Sequence, residues 1–104
     1  MSGPLEGVRV LDLTSVVLGP LATQTLGDMG ADIVKIEGPA GDTTRYTGPK
    51  RSQDMSALYM GLNRNKRSIV LDLKQEAAKE ALWRLIEGAD VFLHSIRPLS
   101  LIHI

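Results

Sequence analysis

The 104-residue chain carries 12 Lys+Arg and 12 Asp+Glu, a formal net charge of +0, which removes the basic excess of a nucleic-acid or membrane-surface binder. Its 43% hydrophobic and 23% charged residues are those of an ordinary globular domain, at a length that suits one small domain and not two. The absence of cysteine rules out disulfide scaffolds, thiolate metal sites and cysteine nucleophiles, and four aromatic residues (Tyr46, Tyr59, Trp83 and Phe92) are too few for base-stacking platforms.

In chain order, the start lacks the basic and apolar regions of an export signal, and no later run approaches the roughly 18 apolar residues of a membrane span. The expectation is a soluble cytoplasmic protein. Residues 8–14 (VRVLDLT) follow Gly7 and read as a first strand. Residues 15–20 (SVVLGP) form a turn, with Pro20 placed where a helix begins. From Leu18, apolar spacing through Ala22, Thr25/Leu26 and Met29 predicts a helix face, closed by Gly30. Residues 31–37 (ADIVKIE) are a second strand rich in β-branched side chains. The stretch 38–65 is irregular, with a short helix over 56–62.

Residues 67–73 (RSIVLDL) read as the third strand, and residues 75–87 as the clearest helix. Ala78, Leu82, Leu85, Ile86 and Ala89 form its apolar face, while Glu80 and Arg84 pair at i,i+4. Gly88 ends it, and residues 90–95 form the fourth strand. Two junctions echo one another: residues 29–34 (MGADIV) and 87–92 (EGADVF) both run from helix end through Gly and Ala to an Asp that starts a strand. Alternating strands and helices imply parallel pairing with right-handed crossovers, hence an α/β, Rossmann-like open parallel sheet covered on both faces.

In such a sheet ligands gather at the carboxyl ends of the strands, here 14–20, 37–45, 71–74 and 95–98. The first loop lacks G-x-G-x-x-G, which disfavours a nicotinamide or flavin dinucleotide, and the chain has no Walker A sequence either. Residues 64–67 (RNKR) are a basic cluster that, with Lys74, either holds phosphates or forms a solvated loop. Residues 41–45 (GDTTR) either bring Arg45 to an anion or make an ordinary turn. Asp12 and Asp72, inside apolar strands, read as hydrogen-bonded structural groups. His94 reads as a satisfied strand residue, and with His103 as the only other histidine no metal site is expected.

The wording of the chain carries more than its periodicity. Residues 5–14 (LEGVRVLDLT), 19–20 (GP), 30–37 (GADIVKIE), 41–45 (GDTTR), 65–74 (NKRSIVLDLK) and 89–98 (ADVFLHSIRP) follow in fixed order. Together they closely resemble the amino-terminal part of family III CoA-transferases, a superfamily shared with alpha-methylacyl-CoA racemases. The resemblance covers residues 4–98. It implies a truncated part of a Rossmann-like large domain, an interlocked homodimer, and acyl-CoA and carboxylic acid substrates, with coenzyme A thioester as substrate and no permanently bound cofactor. The family's CoA contacts map onto Val17 and Leu18, onto Leu71, Asp72, Leu73 and Lys74, and onto Ser95, Ile96 and Arg97. Formyl-CoA transferases carry an arginine where Gly38 stands here, so either another residue supplies that contact or the chain lies outside that branch; Ser-Ile-Arg at residues 95–97, where they carry Asn-Phe-Gly, also speaks against a formyl-CoA substrate.

In the transferases an aspartate attacks the acyl-CoA, giving a mixed anhydride and then an enzyme thioester; in the racemases a histidine and an aspartate exchange the proton α to the thioester. Both catalytic positions fall beyond Pro98, so no residue of this chain is assigned as catalytic and the 104-residue chain alone is expected to be inactive. A racemase and a non-catalytic CoA-binding module are the alternatives. Residues 99–104 (LSLIHI) are what CTG TCT CTT ATA CAC ATC encodes, which resembles the mosaic-end adapter of transposon-based sequencing libraries. That tail is expected to be non-native, and different codons in the coding DNA would refute this.

Overall fold

Four parallel strands form the centre of the molecule: β1 (Arg9–Leu13), β2 (Asp32–Glu37), β5 (Lys66–Val70) and β6 (Val91–His94). Between them lie helices α1 (Leu18–Asp28), α2 (Ala57–Leu62) and α3 (Glu76–Glu87), a 3-10 turn (Thr43–Tyr46), and a small hairpin of β3 (Lys50–Ser52) and β4 (Met55–Ser56). These come from a computed structural model, which describes residues 3–48, 50–52 and 55–96. Arg97 and the tail 99–104 lie outside the described residues.

The sheet order is β5-β2-β1-β6, every pair parallel. Numbered among themselves the strands run 3-2-1-4, the doubly wound order in which connections reverse direction beside β1. The predicted α/β Rossmann-like sheet is therefore present. The two echoed junctions flank β1: the Asp32 N–H donates to the Val8 carbonyl at 2.8 Å and the Asp90 N–H to that of Arg9 at 2.9 Å.

The glycines of the echo do different work. Gly30 sits at φ +102°, and a Cβ there would stand 3.0 Å from the Gly3 nitrogen, whereas Gly88 has φ −94° with nothing nearer than 3.8 Å. Gly30→Ala is expected to cost about 1–2 kcal/mol. Gly88→Ala should cost under about 0.5 kcal/mol. Thermal unfolding of the two variants side by side checks the contrast.

Two cores form on opposite faces. Leu11, Val34 and Ile36 point toward α3, where Leu82 is buried and Leu85, Ile86 and Ala89 pack around it, as the helical spacing predicted. Glu80 and Arg84 also pair as expected, at 3.2 Å. On the other face, Val10, Ala31 and Ile33 meet Leu26 of α1. Here the predicted helix face is corrected. Leu18 is 84% exposed, Ala22, Thr25 and Met29 are exposed, and the buried residues of α1 are Pro20, Thr23, Gln24 and Gly27. The reason is the sheet beneath: Asp12, Lys35 and Lys66 lie on that face, so the helix needs polar partners there.

Two boundaries and the burial of the outer strands also differ from the expectation. Pro20 is the third residue of α1, still among the first four N–H positions that have no helical acceptor. The third strand ends at Val70, leaving residues 71–74 in the turn before α3. Of the four parallel strands, β1 and β2 are enclosed on both faces, whereas Val70, Val91 and Phe92 on the outer strands are exposed.

Candidate functional site

The carboxyl ends of the four strands converge on a cavity of about 760 Å³. Its walls come from Leu13, Thr14 and Ser15 at the end of β1, from residues 35–39 at the end of β2 with Gly41 and Asp42, from residues 71–74 after β5, and from Ile96 after β6. Lys79 of α3 closes one side. Leu13, Leu71 and Leu73 belong at once to this lining and to the α3-side core, so the cavity is the unfilled upper end of that core.

Of the residues singled out by the family resemblance, Leu71, Asp72, Leu73, Lys74 and Ile96 line the cavity. Val17, Leu18 and Ser95 do not, and Arg97 lies outside the described residues. The turn over residues 71–74 is fixed locally: the Leu71 N–H donates to the Glu37 carbonyl at 2.9 Å, the Lys74 N–H to Asp72 Oδ1 at 3.2 Å, and the Gln75 N–H to the Asp72 carbonyl at 2.9 Å. Lys74 is exposed beside it. Lys79, absent from the sequence reading, leans over the same opening and pairs with the solvent-exposed Glu76 only at 3.6 Å. Its signal was available in retrospect, since position 79 is one turn into the helix that starts at this strand end.

Behind the cavity, on the α1 face, lies a buried ionic network. Asp12 accepts from the Thr14 N–H at 2.9 Å, the Thr14 hydroxyl, the Thr23 hydroxyl at 2.7 Å and Lys66 Nζ at 3.0 Å. Burial works against the Asp12 carboxylate, but the hydrogen bonds from Thr14 and Thr23 and the Lys66 charge outweigh it and hold its pKa below the ordinary value. For Lys66 burial wins, and its pKa is pushed down. The structural reading of Asp12 is thus what the packing shows, and the close approach of α1 allows no larger residue at position 19, where a Cβ would stand 2.3 Å from Thr14 Cβ.

Lys35 and Asp42 pair at 3.0 Å, both side chains 1% exposed. Glu37 accepts from Arg45 through Nε at 2.9 Å and Nη2 at 2.7 Å, from Tyr59 Oη at 3.2 Å, from the Asp42 N–H at 2.7 Å, and from the Ser68 hydroxyl. The Arg45 guanidinium also stacks 3.9 Å above the Tyr59 ring. Arg45 therefore serves an internal carboxylate, and residues 41–45 are the turn of the two readings. Among the described residues every buried side-chain nitrogen and oxygen has a partner.

The basic cluster is likewise divided up. Arg64 pairs with Asp28 and Arg67 with Asp32, both at 2.7 Å, and Lys66 is buried on Asp12. Neither a shared phosphate site nor a wholly solvated loop describes it. His94 Nδ1 accepts from the Ile96 N–H at 3.2 Å, as a satisfied strand residue should.

Val16 is the strained point of the site, at φ +74°. A β-branched residue in the left-handed region costs about 1–3 kcal/mol. It lies between Thr14 and Ser15, which line the cavity, and Val17, where α1 begins without a side-chain cap.

The model for CoA-transferase family III matches residues 5–103. The chain belongs to that family. It is 45% identical over 96 residues to human succinyl-CoA:glutarate CoA-transferase, covering 91% of this chain and 22% of the relative. It is 50% identical over 100 residues to formyl-CoA:oxalate CoA-transferase of Streptomyces avermitilis, covering 94% and 24%. The crystal structure of a CaiB/BaiF family protein from Brucella suis superposes with a TM-score of 0.91 at 37% identity, over 98% of this chain and 28% of that one. This family III chain thus spans about a quarter of the length of such relatives, whose names differ in both acyl group and acceptor. Among its described residues no helix is long and apolar enough to cross a membrane.

Proposed function

We propose that this chain supplies the CoA-binding part of an enzyme that moves CoA from an acyl-CoA donor to a carboxylic acid acceptor. The observation that carries it is the apolar cavity at the four strand ends, edged by Lys74 and Lys79. Leu13, Ile36, Leu71 and Leu73 give the pantetheine arm a dry surface, while the two ammonium groups face the phosphates. Val17, Leu18, Ser95, Ile96 and Arg97 complete the contact set by family resemblance. In the transfer step an aspartate outside this chain attacks the thioester carbonyl and the CoA thiolate leaves, forming an acyl-aspartyl anhydride. The thiolate then attacks the aspartyl carbonyl, giving an enzyme–CoA thioester and releasing the donor acid. The acceptor carboxylate attacks that thioester and expels the CoA thiolate, forming a second anhydride, and the thiolate then attacks the acceptor's acyl carbon, giving the new acyl-CoA and freeing the aspartate. Two interlocked copies of the full-length protein form the working unit.

Titration of CoA into the full-length protein tests the site. A charge-assisted hydrogen bond is worth ~1.5–3 kcal/mol, so Lys74→Ala and Lys79→Ala should each weaken binding about tenfold or more. CoA affinity unchanged in both variants would refute the assignment.

A further inference from the structure

Asp42 is a single buried carboxylate on which two separate cavity-lining segments depend. Its Oδ1 accepts from the Thr44 N–H at 3.0 Å and the Thr44 hydroxyl at 2.9 Å, which fixes the turn after β2. Its Oδ2 accepts from Lys35 Nζ at 3.0 Å, and the same ammonium donates to the Thr14 carbonyl at 3.2 Å. The Val16 N–H stands 3.4 Å from each carboxylate oxygen, shared between them. Asp42 thereby reaches both ends of the strained peptide segment: Thr14 through Lys35, and Val16 directly. It is anchored in turn by its own N–H on Glu37 at 2.7 Å.

We propose that Asp42 is a positioning residue for the ligand: its charge holds Val16 in the left-handed conformation and so sets where Thr14, Ser15 and the start of α1 stand at the cavity. This rests on the reading of the cavity as the CoA site. The strain makes the idea specific. An L-residue with a branched Cβ leaves φ +74° once its hold is removed, whereas glycine occupies that region freely. Replacing Val16 by Gly should therefore make the turn independent of Asp42. A role confined to neutralising Lys35 predicts no such rescue.

The test uses the full-length protein with Asp42→Asn, Val16→Gly and the double substitution, read by CoA titration and by amide hydrogen exchange over residues 15–18. Asp42→Asn is expected to weaken CoA binding about tenfold and to speed exchange at Val16. In the Val16→Gly background the same change should alter affinity less than about threefold. An undiminished loss in that background, or exchange at Val16 unchanged by Asp42→Asn, overturns the proposal. If Asp42→Asn fails to fold because Lys35 is stranded, Asp42→Asn is made in a Lys35→Met background and compared with Lys35→Met alone, so that loss of the Lys35–Thr14 hydrogen bond is common to both and the same readouts apply. Failure of the unsubstituted protein to bind CoA would instead refute the cavity assignment, and the exchange arm would still decide whether Asp42 holds the turn.

Discussion

Lys66→Met is expected to destabilise the full-length protein by about 3–5 kcal/mol, the loss typical of removing one partner of a buried ion pair. The Lys66 side chain is 1% exposed and Asp12 0%. Its ammonium has three donors, and three acceptors surround it: Asp12 Oδ2 at 3.0 Å, the Pro20 carbonyl at 2.9 Å and Asn63 Oδ1 at 2.8 Å. Methionine fills comparable volume but leaves a buried carboxylate without its cation and removes one donor each from the Pro20 carbonyl and Asn63 Oδ1. Those partners sit on β1, on α1 and after α2, so the loss is felt across the whole α1 face of the sheet. Asp12→Asn in the same chain removes the stranded charge and should recover part of the stability. Denaturant midpoints for the two single variants and the double one provide the check; a loss below about 1 kcal/mol for Lys66→Met contradicts this account.

Acid should act on a second buried group with comparable force. Burial works to raise the pKa of Glu37, but the Arg45 guanidinium, the Ser68 hydroxyl and the Asp42 N–H outweigh it and bring it from 4.5 down to about 2. A pKa depressed on folding gives stability that is fully present above the unfolded value and lost as pH falls through the folded one. For Glu37 that window runs from about 4.5 to about 2, and the contribution is about 3 kcal/mol at neutral pH. Glu37→Gln should therefore be less stable than the unsubstituted protein at pH 7 and lose less on acidification. Asp12 and Asp42 are lowered as well, so a residual slope of the same sign remains in the variant. Unfolding free energies measured from pH 7 to pH 2 test this, and parallel curves for the two proteins would rule it out.

The sheet, the α3 core face and the strand-end location of the cavity were legible because each depends on local pattern. Leu82, Leu85 and Ile86 recur at helical spacing against an apolar sheet face, so periodicity and packing agree. The first helix shows where that agreement fails. Leu18 and Met29 follow the apolar rule and are exposed, while Thr23 and Gln24 break it and are buried. Thr23 is buried to donate to Asp12 and Gln24 to accept the Arg64 N–H at 2.9 Å. Apolar spacing carries no information about charges on the facing sheet, which come from strands that follow one another only in space. The basic cluster was opaque for the same reason: Arg64, Lys66 and Arg67 are adjacent in sequence, yet each meets a carboxylate more than 30 residues away.

The sequence by itself determined that this is a neutral, cysteine-free α/β chain, and its ordered motifs placed it in the family. Strand propensity, the glycines at the turns and the alternation of elements are short-range properties, and short-range properties can be read along a chain. Which charges are buried together was decided only by the tertiary structure. Asp12, Lys35, Glu37, Asp42, Arg45 and Lys66 become three mutually compensating pairs when parallel pairing sets Asp12 beside Lys35 and the segment after β2 folds back over the strand end. A buried charge is tolerated only when its partner arrives with it, and that arrival is a matter of register and crossover.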